Sequence, residues 1–237
     1  MAIATKQGHV QRAIDFYLKD DKFFVVGGVT PWADESTPDV PTEDDFKLKD
    51  IIGYKKVDNC HLVVPDENGT IQYRTQNWRI VSTPYKTSTA GQVASGATEV
   101  RLASSAGITK GAKLRIAELY VGTVTAVDVN QNTVTLNTPA PETIPAGSVV
   151  EGGALVEGAC YVYVDAYLNY DQFPIATYRQ IGLCTGVTPD QSILRAKGYG
   201  VDSDEFTSKG VLEILDNRPP STRDTDQREM VSIVCGF

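Results

Sequence analysis

Cys60 and His61 are adjacent in the sequence, and a cysteine activated by a histidine is the pairing that thiol-dependent hydrolases use. The surrounding residues favour a strand, in which neighbouring side chains point to opposite faces of the sheet. The two groups would therefore face away from each other and could not form a catalytic dyad. His9, near the N-terminus, is the only other histidine. We expect no nucleophilic catalysis from these residues.

The four cysteines are too far apart in the sequence for a zinc-binding or redox motif: Cys60, Cys160, Cys184 and Cys235. Cys160, Cys184 and Cys235 lie in apolar, strand-like surroundings. A cysteine in such a place is usually a buried free thiol that packs as a small apolar residue. We expect free cysteines and no metal site built on them.

Acidic residues supply the other candidate chemistry. Asp34 and Glu35, or Asp202, Asp204 and Glu205, could act as the paired carboxylates of a glycosidase. The run 202–205 also has the oxygen ligands of a calcium site, but it lacks the twelve-residue loop with a central glycine. Gly27 and Gly28 do not form a phosphate loop, because no Gly-Lys-Ser/Thr sequence follows them. We expect no cofactor, no metal and no enzymatic activity. A glycan-binding adhesin and a calcium-stabilised module stay open as alternatives.

The bulk composition restricts the partners. The chain has 237 residues, a formal net charge of −8 and an isoelectric point near 4.8. An acidic chain lacks the basic surface that non-specific nucleic-acid binding requires. No apolar run approaches the roughly 18 residues of a spanning helix, and the first residues lack the apolar segment of a signal peptide. We expect no nucleic-acid partner, no membrane partner and assembly in a cytoplasm.

The patterning of apolar residues predicts a mainly β protein with a short N-terminal helix. Residues 7–20 have a helical period, in which Val10, Ala13, Ile14, Tyr17 and Leu18 share one face. Most of the remaining apolar residues occur in short runs separated by turn residues. Asp66-Glu67-Asn68-Gly69 predicts a hairpin that joins strands at 61–64 and 70–74.

The composition changes near Ser88. From residue 88 to residue 150, aromatic residues are few, and short alternating strands rich in Gly, Ala, Thr and Val follow one another. This pattern predicts a small β-barrel or sandwich. We therefore predict a host β-sandwich domain formed by residues 1–87 and 151–237, with an inserted small β-domain at residues 88–150.

Three segments contain candidate partner-binding residues. The acidic, proline-rich loop at 30–41 contains Trp32, Asp34 and Glu35, and Trp32 could serve as a lid on the core or as an anchor in a partner. The strand at 161–168 places its tyrosines on one face, which could be an interface or could be covered by the inserted domain. These tyrosines are Tyr161, Tyr163 and Tyr167.

The third segment lies near the C-terminus. The apolar runs 211–215 and 230–237 favour strands, and residues 216–220 predict the turn that ends the first of them. Charges of alternating sign fill the segment between the runs, a pattern suited to fixing a loop on a neighbouring surface. Pairing within the chain is the open alternative. The candidates here are Arg218, Arg223, Arg228 and Glu229.

Several of these segments together resemble a known family. Residues 23–41 (FFVVGGVTPWADESTPDVP), 73–85 and 178–182 (YRQIG) are similar to parts of a baseplate wedge subunit of contractile-tailed bacteriophages, the gene-eight product family of T-even-like phages. The runs 215–219 (LDNRP) and 226–229 (DQRE) resemble later parts of the same pattern. Residues 88–150 depart from it and resemble small β-modules inserted in many phage structural proteins.

The resemblance implies a β-sandwich structural protein without enzymatic activity, located in the virion tail. It implies a homodimer that contacts other baseplate wedge and tail proteins. It also implies a part in baseplate assembly and in the rearrangement that triggers sheath contraction. The loops at 30–41 and 218–229 are the segments that we expect to bind these neighbours.

Overall fold

The computed structural model describes residues 3–170, 172–190, 199–200, 205–224 and 226–237, and the described chain is mainly β. The two helices are α1 (Lys6–Tyr17) and α2 (Ala154–Glu157). The strands of the first half are β1 (Phe23–Gly27), β2 (Gly53–Lys56), β3 (Asn59–Pro65), β4 (Ile71–Tyr73), β5 (Gln76–Ile80), β6 (Tyr85–Ser88), β7 (Glu99–Arg101), β8 (Lys113–Ile116) and β9 (Tyr120–Asp128). The remaining strands are β10 (Thr133–Leu136), β11 (Val149–Gly152), β12 (Tyr161–Leu168), β13 (Ala176–Pro189), β14 (Tyr199–Gly200), β15 (Phe206–Arg223) and β16 (Glu229–Gly236). The predicted mainly β class with a short N-terminal helix is confirmed.

The chain divides into two compact units. Unit 1 comprises Met1–Tyr17, His61–Tyr163 and Gly236–Phe237, and unit 2 comprises Leu18–Cys60 and Val164–Cys235. These bounds differ from those of the predicted host and inserted domains, because the N-terminal helix belongs to the same unit as residues 88–150. The domain boundaries drawn from the sequence stay a prediction.

A small barrel forms the larger part of unit 1. Its six antiparallel strands lie in the order β6-β11-β8-β9-β10-β7. The two outer strands meet where Thr89 bridges Leu102, so the sheet closes on itself. Alternate apolar side chains fill the interior, as expected for a small barrel. Among the most deeply buried are Val100, Leu102, Leu114, Ile116, Val134 and Val150.

The second part of unit 1 corrects the hairpin prediction. Strand β3 pairs with β5 rather than with β4, and β4 pairs with β5 across a tight turn. Arg74 occupies that turn in the left-handed region, at φ 52°. Residues 66–69 still form a turn, in which the Gly69 amide donates to the Asp66 carbonyl at 2.8 Å. That turn, however, does not join two paired strands.

Unit 2 is built on a five-stranded antiparallel sheet in the order β14-β2-β1-β13-β15, and in the same unit β16 lies beside β12. Strands β13 and β15 pair along their lengths, from Ala176 opposite Arg223 to Pro189 opposite Phe206. Core side chains pack against this sheet, including Phe23, Val25, Leu48, Tyr54 and Phe206.

Residues 216–220, predicted as a turn, lie inside β15 and correct that prediction. The pairing register shifts between Tyr178 and Gln180, so that Arg179 faces the bulged residues 218–220. Pro219 and Pro220 are tolerated there because β15 is the last strand of its sheet and prolines fit at edges and bulges. The bulge aims neighbouring side chains at the segment between β1 and β2.

Candidate interaction site

The segment 28–52 joins β1 to β2 without helix or strand and is named the acidic loop here. It is far longer than the usual connection of about 2–6 residues, and loops of this length are commonly functional. It contains seven Asp or Glu residues against two lysines: Asp34, Glu35, Asp39, Glu43, Asp44, Asp45 and Asp50, with Lys47 and Lys49. It therefore places a strong negative charge on one part of unit 2.

Contacts at the base fix where the acidic loop leaves and rejoins the sheet. The Gly28 amide donates to the Lys49 carbonyl at 2.6 Å, and Gly28 takes up φ 74°, a conformation suited to glycine. The Thr30 hydroxyl donates to a carboxylate oxygen of Asp50 at 2.6 Å. Leu48 is buried among the core side chains of unit 2. The two ends of the loop are thus held side by side.

Arg179 on β13 holds the first half of the acidic loop. Its guanidinium donates to both carboxylate oxygens of Glu35, from Nε to Oε2 at 2.8 Å and from Nη2 to Oε1 at 2.6 Å. Its Nη1 donates to the Val29 carbonyl at 2.8 Å. Forked pairs of this type fix geometry as well as charge. Arg179 is itself buried, so the contact forms on the inner side of the loop.

A short chain of amides holds the rest of the loop. Gln180 accepts from the Lys49 amide at 2.7 Å and donates to Asn217 at 2.9 Å. Asn217 in turn donates to the Asp39 carbonyl at 2.8 Å. Backbone groups far apart in the loop are therefore satisfied by neighbouring side chains of β13 and β15.

Trp32 acts as a lid within unit 2. Its side chain is buried, and its indole Nε1 donates to the Arg218 carbonyl at 3.0 Å. Of the two roles considered from the sequence, this geometry matches the lid. Trp32 offers little surface to another protein, but it fixes the position of Asp34 and Glu35.

The outer side of the acidic loop exposes apolar residues. Val40 is 85% exposed and Phe46 is 78% exposed, although residues of this size are usually covered. Glu43 and Asp44 are exposed beside Phe46, and Asp45 accepts from the Thr42 amide at 2.7 Å, which fixes the turn before it. An exposed aromatic ring among carboxylates, on a loop held at its base and its middle, is an arrangement suited to binding another protein.

The electrostatics of Asp34 and Glu35 do not suit glycan cleavage. Hydrogen bonds from Ser36 lower the pKa of Asp34, and hydrogen bonds from Arg179 lower the pKa of Glu35. A glycosidase needs one carboxyl group whose pKa is raised so that it can donate a proton. Neither member of this pair is in such an environment. Asp202 and Asp204 lie outside the described residues.

The predicted tyrosine face is largely covered by the chain itself. Tyr163 is buried, and the ring of Tyr161 packs against Trp78 with centroids 4.9 Å apart. The guanidinium of Arg228 lies 3.7 Å from the ring centroid of Tyr167. Asp165 on the same strand is also buried and accepts from Asn59. These tyrosines therefore contribute to packing in the structure, and their predicted partner role remains untested.

The charged residues near the C-terminus have partners in the chain, and most are not those expected. Arg218 pairs with Asp216 at 2.6 Å. Arg223 is 2% exposed and donates to the carbonyls of Leu168 and Asn169. Glu229 accepts from the hydroxyls of Tyr178 and Ser221, and Arg228 covers Tyr167 as described above. Arg223 is buried and contributes to packing within the chain, and its predicted partner role stays a prediction.

The cysteines are free thiols, as predicted. Burial raises the pKa of Cys184 to about 12 and also raises the pKa of Cys60, so neither is prone to form a thiolate. Among the residues that the structure describes, no group of three or more His, Cys, Asp or Glu side chains could hold a metal ion. In the same described part of the chain, no helix is long and apolar enough to cross a membrane.

Two important residues of the site were not singled out as binding candidates from the sequence. Phe46 stands between acidic and basic residues, with no apolar period around it, and that isolation was the available signal. Arg179 belongs to the run 178–182, whose only signal is the family resemblance. Its role depends on the bulge in β15, which no local sequence pattern predicts.

Comparison with known proteins gives two matches. The sequence model of the family described as "Baseplate wedge 3 tail fiber network component" matches residues 1–139 and 123–237. The curated relative "Virion protein 3" of Enterococcus phage phiEF24C is 29% identical over a region that covers 34% of this chain and 56% of the relative. The matched region thus spans little more than half the length of that relative.

Proposed function

The chain belongs to the baseplate wedge 3 tail fiber network component family, and we propose that it binds its neighbours in the baseplate through the acidic loop. The resemblance to a baseplate wedge protein found in the sequence is thereby confirmed, and the protein is a structural component of the virion tail. Binding rather than catalysis is the proposed activity.

One observation carries the proposal. The acidic loop is fixed from its inner side by Arg179, Gln180 and Asn217, while its outer side exposes Val40 and Phe46. A loop that is preorganised in this way loses little conformational entropy on binding, because its backbone geometry is already fixed in the free protein. Protein interfaces are enriched in aromatic residues and have a polar rim, and Phe46 with its charged neighbours has that composition.

The finer role extends this proposal. We propose that the protein is a wedge subunit of a contractile tail, that it forms a homodimer, and that it takes part in triggering contraction. The family match and the resemblance of residues 23–41, 215–219 and 226–229 to a wedge subunit support the wedge role. Light scattering on the isolated chain tests the homodimer, with twice the monomer mass as the expected result.

Size-exclusion chromatography with light scattering tests partner binding. The purified chain, mixed with the other tail proteins of its source, is expected to move into a larger complex. Phe46→Ser and Val40→Ser should reduce that complex strongly, because both side chains are exposed in the free chain and would become buried in it. The unfolding free energy of each variant should stay within about 0.5 kcal/mol of the wild-type value.

Val129→Ser is the matched control. Val129 is 66% exposed but lies in unit 1, outside the acidic loop. The control should assemble like the wild type. Normal assembly of Phe46→Ser would exclude the acidic loop as the interface. If the wild-type chain forms no complex with any tail protein, the proposed function is wrong.

A further inference from the structure

A second feature with the character of a binding site lies in unit 1, beside the barrel. A cavity of about 320 Å³ opens between helix α1, helix α2 and the outer face of strands β6, β8 and β11. All of its lining residues belong to unit 1. Its volume is enough for one or two amino-acid side chains and is at the small end for ligand sites.

The floor of this cavity is a row of charges across three strands. In the pairing register, Glu151 stands opposite Lys86 on one side and opposite Arg115 on the other. Its carboxylate binds Lys86 at 2.8 Å and Arg115 at 2.6 Å. One carboxylate thus holds two cations in place, and both cations keep N–H groups that can donate to a ligand.

A third cation comes from helix α1. Lys6 is the first residue of that helix, and its side chain lies against Gly158, where a methyl group would come within 2.8 Å of Lys6 Cε. Gly158 has φ 69°, so glycine suits this position in conformation as well as in space. Three positive side chains against one negative leave a net charge of +2 at the cavity, on a chain whose net charge is −8.

The composition of the cavity walls suggests a peptide as the ligand. Its walls combine the apolar side chains of Leu155 and Val156 with the amides of Gln7 and Gln11, and Val10 adds little exposed surface. A free inorganic anion would use the cations and leave these walls bare. A carboxylate next to an apolar side chain would use both.

We propose that this cavity, named the cationic pocket, binds an acidic segment of another protein, with a Glu or Asp carboxylate at Lys6, Lys86 and Arg115 and an apolar side chain against Leu155 and Val156. The proposal names a second kind of contact for a baseplate component and so rests on the proposed function. It does not involve the acidic loop, which belongs to unit 2.

Fluorescence anisotropy with the full-length chain tests the cationic pocket. The probe is a labelled peptide Ser-Glu-Glu-Asp-Leu, which combines carboxylates with one apolar side chain and does not occur in this chain. The control peptide has Gln and Asn at the acidic positions. We expect saturable binding of the acidic peptide that weakens as salt rises from about 50 mM to about 300 mM. The amide peptide should not bind.

Lys6→Glu should weaken peptide binding at least about tenfold, since it reverses a charge at the pocket. Lys6 takes part in no described ion pair, so the fold should persist, and a circular dichroism melt checks this. Lys110→Glu makes the same charge change at an exposed residue outside the pocket and should bind like the wild type.

Absence of peptide binding, equal binding of the amide peptide, or unchanged binding by Lys6→Glu would each overturn the proposal. Displacement of the peptide by an equal concentration of inorganic phosphate would overturn it as well, because the pocket would then be a general anion site. The light-scattering assay on tail proteins separates the two ideas. If the chain assembles with tail proteins but does not bind the peptide, the proposal for the cationic pocket is wrong and the proposed function still holds.

Discussion

The guanidinium of Arg179 donates to both carboxylate oxygens of Glu35, which lies 144 residues earlier in the sequence. Arg179 is buried and Glu35 is 39% exposed in its side chain, so the pair joins the sheet of unit 2 to the outer part of the acidic loop. This contact, with the Trp32 indole on the Arg218 carbonyl, decides which parts of the loop face inward. Val40 and Phe46 face outward as a consequence.

Replacing Arg179 by Lys should release the first half of the acidic loop without unfolding the sheet. Lysine keeps the charge, but it cannot supply the forked contact to Glu35 and the bond to Val29 together. Hydrogen–deuterium exchange should become faster at residues 29–40, while β1 and β13 stay protected. Arg12→Lys, on the exposed face of α1, is the control and should exchange like the wild type. Unchanged exchange in the loop would show that Arg179 does not hold it.

Acid should release the loop as well. Hydrogen bonds from Arg179 lower the pKa of Glu35, and hydrogen bonds from Thr30 lower the pKa of Asp50. When folding lowers the pKa of a carboxyl group, its ionised form stabilises the folded state. This contribution is complete above the pKa of the unfolded chain, about 4.3 for Glu, and is lost as the pH falls through the pKa of the folded state. The loop should therefore be held at neutral pH and loosen below about pH 4.

Trp32 fluorescence can report this transition. In a Trp78→Phe background, Trp32 is the only tryptophan, and its emission should shift to longer wavelength as acid exposes the ring. Glu35→Gln does not titrate at that position, so its emission should depend less on pH in the same range. An identical acid transition in both proteins would assign the change to other groups.

Substitution of Trp32 should separate its hydrogen bond from its packing. Trp32→Phe keeps an aromatic ring but removes the bond to the Arg218 carbonyl, at an expected cost of about 1 kcal/mol of unfolding free energy. Trp32→Ala also leaves a cavity and should cost about 3 kcal/mol. Urea denaturation measures both values. Equal stabilities of the two variants and the wild type would mean that the indole is not packed as described.

Arg223 should be a residue of stability rather than of recognition. Its guanidinium donates to the Leu168 and Asn169 carbonyls and lies 5.7 Å from the Phe173 ring centroid. Arg223→Lys should lower the unfolding free energy by about 2 kcal/mol, because a lysine cannot reach both carbonyls in this geometry. Assembly of the folded fraction with tail proteins should be normal. A stable variant that fails to assemble would instead support the partner role predicted from the sequence.

The periodic parts of the fold could be predicted from the sequence. The helical face of α1 and the strand alternation in residues 88–150 follow from local spacing, so the helix and the small barrel were both expected. Leu18 was wrongly included in the helical face, because α1 ends at Tyr17 and Leu18 is 63% exposed. The hairpin at 66–69 was wrong because its turn residues could not reveal that β5 lies between β3 and β4.

The site could be predicted only in part. The acidic loop was recognised from its prolines and charges, but Pro219 and Pro220 suggested a turn where a bulged edge strand continues. The contacts of Arg179, Gln180 and Asn217 with this loop join residues more than a hundred positions apart. Such pairings depend on the register of β13 and β15, which local propensity does not determine.

Lysine footprinting on assembled tails measures whether neighbouring proteins cover the acidic loop. Lys47 and Lys49 are exposed in the acidic loop, and Lys110 is exposed in unit 1 outside the cationic pocket. All three lysines should react with a small amine-reactive reagent in the isolated chain. In the assembled tail, Lys47 and Lys49 should be protected and Lys110 should still react. Equal labelling of Lys47 and Lys49 in the free chain and in the tail would contradict the claim that the acidic loop is the interface.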